Sequence, residues 1–522
     1  MSQPKVFTRE ATGLIKEIST LDAFWMNLYA NSPLLAAVFV FSLAPALFPG
    51  GDLVTATAIA TLGTIALGTV YSLATATMPR SGGDYVFVSR TFYPVIGFFS
   101  NFNLTYWIFA FWGFNTFLAA TFIGRIANDV GQASLSAWLG TPSGLFVAGS
   151  IVSWLGGLLM VGRLRYYLAL QRVVAVYGLI IAVAVIVVLT SGAGNFHQAF
   201  NQWAISHQAV SGADPYQTVI QTAQSQGFVN PGFTWSATLG VVPVMWGGLL
   251  TAWWSSWVSG EMKNARSVKN QIYSIVGSAV VCGLILAAIA YALVSTVGYD
   301  FFGSLAYSVS SFPALTASYD FYVRVLMPGP SVLFIDLGFL LMAFILIPMD
   351  VLFTTRSMFA WSFDRIVPAK LCAVSERFFT PVISIVVSLV VAEFLIYLFA
   401  FTNAVGLYAA TTFGVMITYF ITTIAVIAFP YVRKKMYGAS PAKYEVGGIP
   451  LMTISGVISV LFMIFLSYYY ITVPGLAGFS TITLETLIVL FVVSIAIFFA
   501  AQAYHKSKGL DPQLAFKEIP PD

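Results

Sequence analysis

Two short stretches and one carboxyl group carry most of the chemistry this sequence can offer. Asn31-Ser32-Pro33 and Trp246-Gly247-Gly248 each fall about ten residues into a long apolar run. Proline removes a backbone donor and disfavours helix for the residue before it, while paired glycines remove the side chains that favour helix. Both stretches therefore predict an interrupted helix with freed backbone groups. The amino-terminal end of a resumed half-helix attracts a carboxylate, and unwound carbonyls attract a cation. Asp350 lies in a third apolar run, beside Pro348 and six residues before Arg356. Inserting a carboxylate there costs roughly 2.5–3.5 kcal/mol. Its expected task is to take a proton; the competing readings are a structural pair with Arg356 and a capped backbone amine.

Composition identifies the elements that must position these groups. Of 522 residues, 58% are hydrophobic and 8% charged, against about 25% charged in soluble chains. The chain reads as an all-α integral membrane protein. Crossing the hydrocarbon takes about 20 apolar residues, and twelve runs qualify: 21–47, 53–77, 95–123, 144–162, 169–191, 236–259, 270–297, 331–355, 381–401, 404–430, 450–473 and 481–503. The expected organisation is a cytoplasmic segment 1–20 and an inverted-repeat core 21–430, then helices 11 and 12 within 431–503 and a cytoplasmic tail 504–522. Inside the core, helices 1–5 occupy 21–191, an outer loop 192–235, and helices 6–10 occupy 236–430.

Charge sets the direction. With the amino terminus cytoplasmic, 22 of the 24 Lys and Arg residues fall on inner segments, and only Arg125 and Arg324 fall outside. The positive-inside rule is obeyed at every loop. The outer connection 192–235 has no Lys or Arg, and its segment 214–226 could form a short helix over the entrance. The aromatic connection 298–330 is a candidate lid.

Because the sixth span enters from the face opposite the first, spans 1–5 and 6–10 should form a five-plus-five inverted repeat with discontinuous helices 1 and 6. Matching breaks would then meet near the midplane. The expected substrate-binding residues are Ala30, Asn31, Ser32 and Pro33 from span 1, Trp246, Gly247, Gly248, Leu249 and Trp253 from span 6, and Tyr106 from span 3. Trp254 and Trp257 are expected to pack or sit near the cytoplasmic interface. Asn103 and Asn115 of span 3 are further polar candidates. Glu393 in span 9 is expected to make a packing or helix contact, and Asp336 and Glu485 to reach water near outer helix ends.

Four fragments in order resemble the amino acid–polyamine–organocation superfamily of permeases, over essentially the whole chain. Gly13-Leu14 with Ile18-Ser19 and Asp22-Ala23 is similar to the entry to that family's first helix. The run Met78 to Tyr85 (MPRSGGDY) is similar to its Pro-x-x-Gly-Gly-x-Tyr loop after span 2, and Gly260-Glu261-Met262-Lys263-Asn264 to its acidic–x–Lys–Asn end of span 6. Arg356 to Pro368 followed by Thr380-Pro381 is similar to its loop after span 8. The resemblance implies a five-plus-five core with two further helices, alternating access for amino acids or related amines, and substrate backbone groups bound at the unwound parts of spans 1 and 6. The family's Gly-Ser/Thr-Gly in span 1 is here Asn31-Ser32-Pro33, which puts an ordinary neutral substrate in doubt. Some proton-coupled relatives carry a lysine in span 5; Tyr177 stands near that place, and Asp350 could substitute for it.

The function expected is a secondary active transporter of amino acids or related amines in the cell membrane, with the proton as candidate coupling ion. The alternatives are an exchanger without ion coupling and, behind it, a membrane-embedded enzyme or sensor. No histidine lies in a span: His197, His207 and His505 are in connections or the tail. The two cysteines, Cys282 and Cys372, have no metal-ligand spacing, and no Walker-type loop is present. No cofactor, catalytic residue or metal is expected. The partners expected are the lipid bilayer and a small-molecule substrate, not nucleic acid; the sequence sets no oligomeric state.

Overall fold

Eleven helices among the described residues are long and apolar enough to cross a membrane, and a further crossing is built from two unequal pieces. The computed structural model describes residues 15–327, 329–375, 377–378, 380–402, 404–476, 480–510 and 516, with 404–409 described by backbone alone. Gly13-Leu14 lies outside the described residues, as do most of the two terminal segments.

The crossings are span 1, Thr20–Asn31 with Pro33–Leu47; span 2, Leu53–Thr77; span 3, Pro94–Asp129; span 4, Pro142–Val161; and span 5, Leu164–Ser191. They continue as span 6, Trp235–Trp246 with Trp254–Glu261; span 7, Val268–Val297; span 8, Val332–Phe363; and span 9, Val382–Phe401. Span 10 is Ala404–Val432, span 11 Leu451–Thr472 and span 12 Thr481–Ser507. Side chains that accept from the first free N–H groups start several of them. Asp52 accepts from Thr55, Thr141 from Gly144 ahead of which Pro142 fits the first helical position, and Ser480 from Thr483.

Spans 3 and 8 run past their expected ends at 123 and 355. In span 8 the reason is electrostatic. Arg356 is 3% exposed because Glu261 accepts from its Nε at 2.6 Å and its second terminal nitrogen at 2.8 Å. A paired arginine does not have to end a buried helix.

Helix packing shows the internal repeat. Span 2 lies along span 7 and span 3 along span 8, the two most extensive helix pairs. Around them three further pairs have counterparts five spans away. The first half of span 1 packs on span 7 as the first half of span 6 packs on span 2. Span 9 meets span 3 as span 4 meets span 8, and span 10 meets span 3 as span 5 meets span 8. Span 11 packs on spans 10 and 2, and span 12 on span 3, outside this pattern.

The face that carries the start of span 1 is the N-terminal face. There Ile18 and Met262 form a parallel bridge, tying the entry of span 1 to the exit of span 6. On the opposite face the two long connections build a shared cap. The expected short helix is Pro215–Ser225, and it packs on Tyr299–Ser308; Phe196–Ser206 packs on Tyr319–Leu326. Tyr216 stacks on Phe301 with ring centres 4.3 Å apart, and Phe196, Phe200 and Tyr322 complete the aromatic seam.

Candidate functional site

Span 1 is broken at one residue. Ser32 takes φ 43° and ψ 68° between two helical stretches. Left-handed backbone is unusual for a residue with a Cβ. Pro33 bars right-handed helix from the residue before it, and its own fixed φ suits the first position of the next helix. Span 6 is broken over a longer stretch: helix ends at Trp246, residues 247–253 form turns, and a 3-10 helix occupies Trp254–Glu261. Each first half is 12 residues long, about 18 Å at 1.5 Å per residue. The breaks therefore lie at equal depth from opposite faces.

They also touch. Asn31 Oδ1 accepts from the Thr251 N–H at 2.9 Å and from the Thr251 hydroxyl at 2.8 Å. One turn earlier, Asn27 Oδ1 accepts from the Ser255 N–H at 2.8 Å, while its Nδ2 donates to the Ser255 hydroxyl and to the Ser274 carbonyl of span 7, each at 2.9 Å. Here the expectation of a resumed α-helix after Gly247 is corrected. Span 1 side chains take the N–H groups of Thr251 and Ser255, so the α-helical ladder cannot use them.

A cavity of about 50 Å³ lies between the breaks. Asn31, Ser32, Thr251 and Asn115 are its polar wall; Phe39, Phe111, Phe114, Trp254, Leu250 and Leu346 are among its apolar lining. Among the described residues no charged side chain lines it. The Ser32 hydroxyl is buried and has no hydrogen-bond partner among the described residues. A buried hydroxyl left unpaired inside a protein is uncommon, and this one stands on the wall of the cavity.

Of the expected binding residues, Ala30, Asn31, Ser32 and Gly247 line the cavity. Six lie elsewhere. Pro33 is buried in the first turn of the second half-helix. Trp246 and Leu249 are fully buried behind the break, and Gly248 backs onto Ala36 and Leu286, its carbonyl accepting from the Cys282 thiol. Trp253 stacks on Tyr71 and meets Tyr419 edge-on, away from the cavity. Tyr106 packs edge-on against Trp107. The indole on the wall is Trp254, expected to pack elsewhere; the turns at 247–253 shift the phase on which a continuous helix would have placed these rings. Leu35, Ala36 and the span 3 phenylalanines gave no sequence signal beyond ordinary apolar periodicity.

Asp350 is fully buried in span 8, thirteen residues before the helix ends at Phe363, about 20 Å along the axis. The expected end of span 8 at 355 would have left it five residues from that end; the longer helix places it deeper. Its Oδ2 accepts from Asn115 Nδ2 at 2.9 Å, its Oδ1 has no partner, and no cation pairs with it among the described residues. The structural pair with Arg356 is not formed, since Arg356 belongs to Glu261. Asn115 thus stands between Asp350 and the cavity, touching both. Tyr177 does not join this group. Its hydroxyl donates to the Phe334 carbonyl at 2.7 Å, sixteen residues from Asp350 on the same helix, or about 24 Å. Asn103 is committed to structure, donating to the Gly414 carbonyl and Thr418 of span 10. Glu393 accepts from Ser150 of span 4 at 2.7 Å.

Ion pairs close both sides of the cavity. On the N-terminal face Glu261 holds Arg356, Asp364 holds Arg90, and Asp22 accepts from Arg172 at 2.6 Å. Toward the cap, on the opposite face, two arginines pair with carboxylates: Arg125 with Asp320, and Arg324 with Asp129 and Asp336. Asp336 is 1% exposed, so the expectation that it reaches water is corrected; Arg324 supplies its partner instead. Burial raises the Asp320 pKa, but Arg125, Ser318 and Arg324 outweigh it and hold the carboxyl below its ordinary value.

Two broken crossings joined at their breaks, inside an inverted repeat, are the architecture of a carrier. The sequence profile described as amino acid permease matches residues 18–497. The chain belongs to that family. No curated protein matches it significantly. This permease is thus a multi-pass membrane transporter of amino acids or related compounds in the amino acid–polyamine–organocation superfamily.

Proposed function

We propose that this permease is a secondary active carrier for a neutral amino acid, working by alternating access and coupled to protons through Asp350. The observation that carries the reading is the buried, unpartnered Ser32 hydroxyl on the wall of a cavity built from both breaks. A substrate carboxylate placed near the amino-terminal end of Pro33–Leu47 would accept from Ser32, and its ammonium would face the carbonyl ends of the first half-helices. The side chain would lie among Phe39, Phe111, Phe114 and Trp254. A cationic side chain would find no carboxylate there, because Asp350 is screened by Asn115.

Asp350 reads the cavity through Asn115. A buried carboxylate without a cation is costly, and a proton removes that cost. Proton loss would change what Asn115 Nδ2 donates to and hence the polar wall it presents. Uptake into proteoliposomes across a panel of amino acids and amines, with and without a pH gradient, tests both parts. Accumulation of neutral apolar amino acids, with lysine, arginine and diamines excluded, is expected. Asp350→Asn should retain substrate exchange and lose gradient-driven accumulation. Full accumulation with unchanged pH dependence in that variant would overturn the coupling role.

A further inference from the structure

A second buried carboxyl group, remote from the cavity, is bound in a way that packing alone does not require. Asp84 follows Gly82 and Gly83 in the loop after span 2 and opens the short helix Asp84–Thr91. It is fully buried, and among the described residues no Lys, Arg or His pairs with it. Three donors from three crossings converge on it: the Tyr71 hydroxyl of span 2, the Thr422 hydroxyl of span 10 at 2.6 Å, and the Trp257 indole N–H of span 6 at 2.5 Å.

The two glycines make this approach possible. Gly82 and Gly83 have φ of +98° and +41°, and a Cβ on Gly83 would stand 2.1 Å from Trp257 Cδ1. Gly82 donates to the Trp257 carbonyl at 2.9 Å, and Ser259 donates to the Arg80 carbonyl at 3.1 Å. The loop therefore clasps the 3-10 piece of span 6 on the N-terminal side of the cavity, where that piece would have to move for access from this face.

We propose that Asp84 is a proton-binding residue of this clasp: with its proton it stays docked under span 6, and when the proton leaves to water the clasp loosens. The inference rests on the family assignment and not on the Asp350 coupling proposed above. Burial pushes the Asp84 pKa up to about 6 from an ordinary 3.8, against the three donors, which lower it. The sign follows. A carboxyl whose pKa is higher docked than solvated stabilises the docked state fully below about 4, and that contribution is gone above about 6.

Other groups facing Asp84 are fixed. From span 2 and span 10 these are Tyr71 and Tyr419, the latter accepting from Trp254 Nε1 at 3.1 Å. The charged groups on neighbouring elements are paired as well: Glu261 at the end of span 6 is held by Arg356, and Asp364, just after span 8, is held by Arg90 on the helix that Asp84 begins and accepts from the Tyr85 hydroxyl at 2.6 Å.

Hydrogen exchange of the full-length protein in nanodiscs, corrected for its intrinsic pH dependence, reads the clasp directly in peptides covering 78–91 and 254–261. Exchange should rise at least tenfold between pH 4.5 and 7.5, since one unit of pKa difference corresponds to a tenfold change. Asp84→Asn should abolish the pH dependence and stay protected at pH 7.5. Thr422→Val, which removes one donor to the carboxylate, should shift the midpoint upward. The same midpoint should persist in Asp350→Asn. A midpoint retained in Asp84→Asn, a downward shift in Thr422→Val, or protection that increases with pH would overturn the proposal. So would a flat wild-type profile.

Discussion

Asn31 and Thr251, 220 positions apart in the chain, share one amide oxygen: Asn31 Oδ1 takes both the backbone N–H and the hydroxyl of Thr251. Both residues are cavity lining, so the bond that joins the halves of the repeat also shapes the space between them. Substrate placed there would press directly on the contact between the two broken helices.

Removing that oxygen should therefore affect binding and stability together. Asn31→Leu leaves the buried Thr251 N–H without its partner, at about 1–3 kcal/mol. Substrate affinity is expected to fall at least tenfold in equilibrium binding, with a lower thermal midpoint. A binding curve unchanged from wild type would separate the cavity from substrate.

Ser32 provides a pair of substitutions with opposite outcomes at one backbone position. Glycine accepts φ 43° without a Cβ penalty, so Ser32→Gly should fold normally and weaken substrate binding through loss of the hydroxyl. Ser32→Val keeps the left-handed Cβ cost that serine already bears, adds a branch at Cβ and fills the cavity, and should abolish uptake. Gly247→Leu should also abolish it, with purification yield and thermal stability near wild type. Normal uptake in both Ser32→Val and Gly247→Leu would show that the pocket lies elsewhere.

Glu261 and Arg356 are each 3% exposed, and a buried charge deprived of its partner costs about 3–5 kcal/mol. Glu261→Gln and Arg356→Gln should each lower the thermal midpoint clearly. The double variant Glu261→Leu with Arg356→Met should recover much of that loss, because no charge is left unpaired. Strictly additive losses in the cycle of Glu261→Leu, Arg356→Met and their double variant would contradict direct pairing.

On the cap, Asp214 accepts from His197 at 2.9 Å, from Asn201 at 2.9 Å and from the Gln217 N–H at 3.1 Å. The His197 hydrogen bond chiefly holds the Asp214 pKa down to about 2. A depressed carboxyl contributes above its ordinary 3.8 and is lost as pH falls through about 2. Helix Pro215–Ser225 should thus be equally ordered at pH 5 and pH 7. Asp214→Ala should speed amide exchange in 215–225 several-fold at both; an effect confined to one of the two pH values would point to His197 alone.

Much of this arrangement was legible in the residues themselves. Long apolar runs separated by glycine, proline and positive charge located the crossings, because the hydrocarbon imposes length and neutrality. Pro33 and the Gly247-Gly248 pair located the breaks, because both act on the backbone of their own segment. The expected pairing of breaks across an inverted repeat also followed, since the number of crossings between them decides which face each enters.

What the sequence by itself determined were properties of single segments: membrane location, the positions of the breaks and the presence of a buried acid at 350. The tertiary structure alone decided which side chains meet. Trp254 rather than Trp253 reached the cavity because Asn27 and Asn31 captured backbone donors of span 6 and changed its helical phase. Arg356 went to Glu261 and left Asp350 to Asn115, while Tyr71, Thr422 and Trp257 closed on Asp84. Such partnerships depend on distances between crossings, and the periodicity of one helix contains no information about its neighbour's rotation.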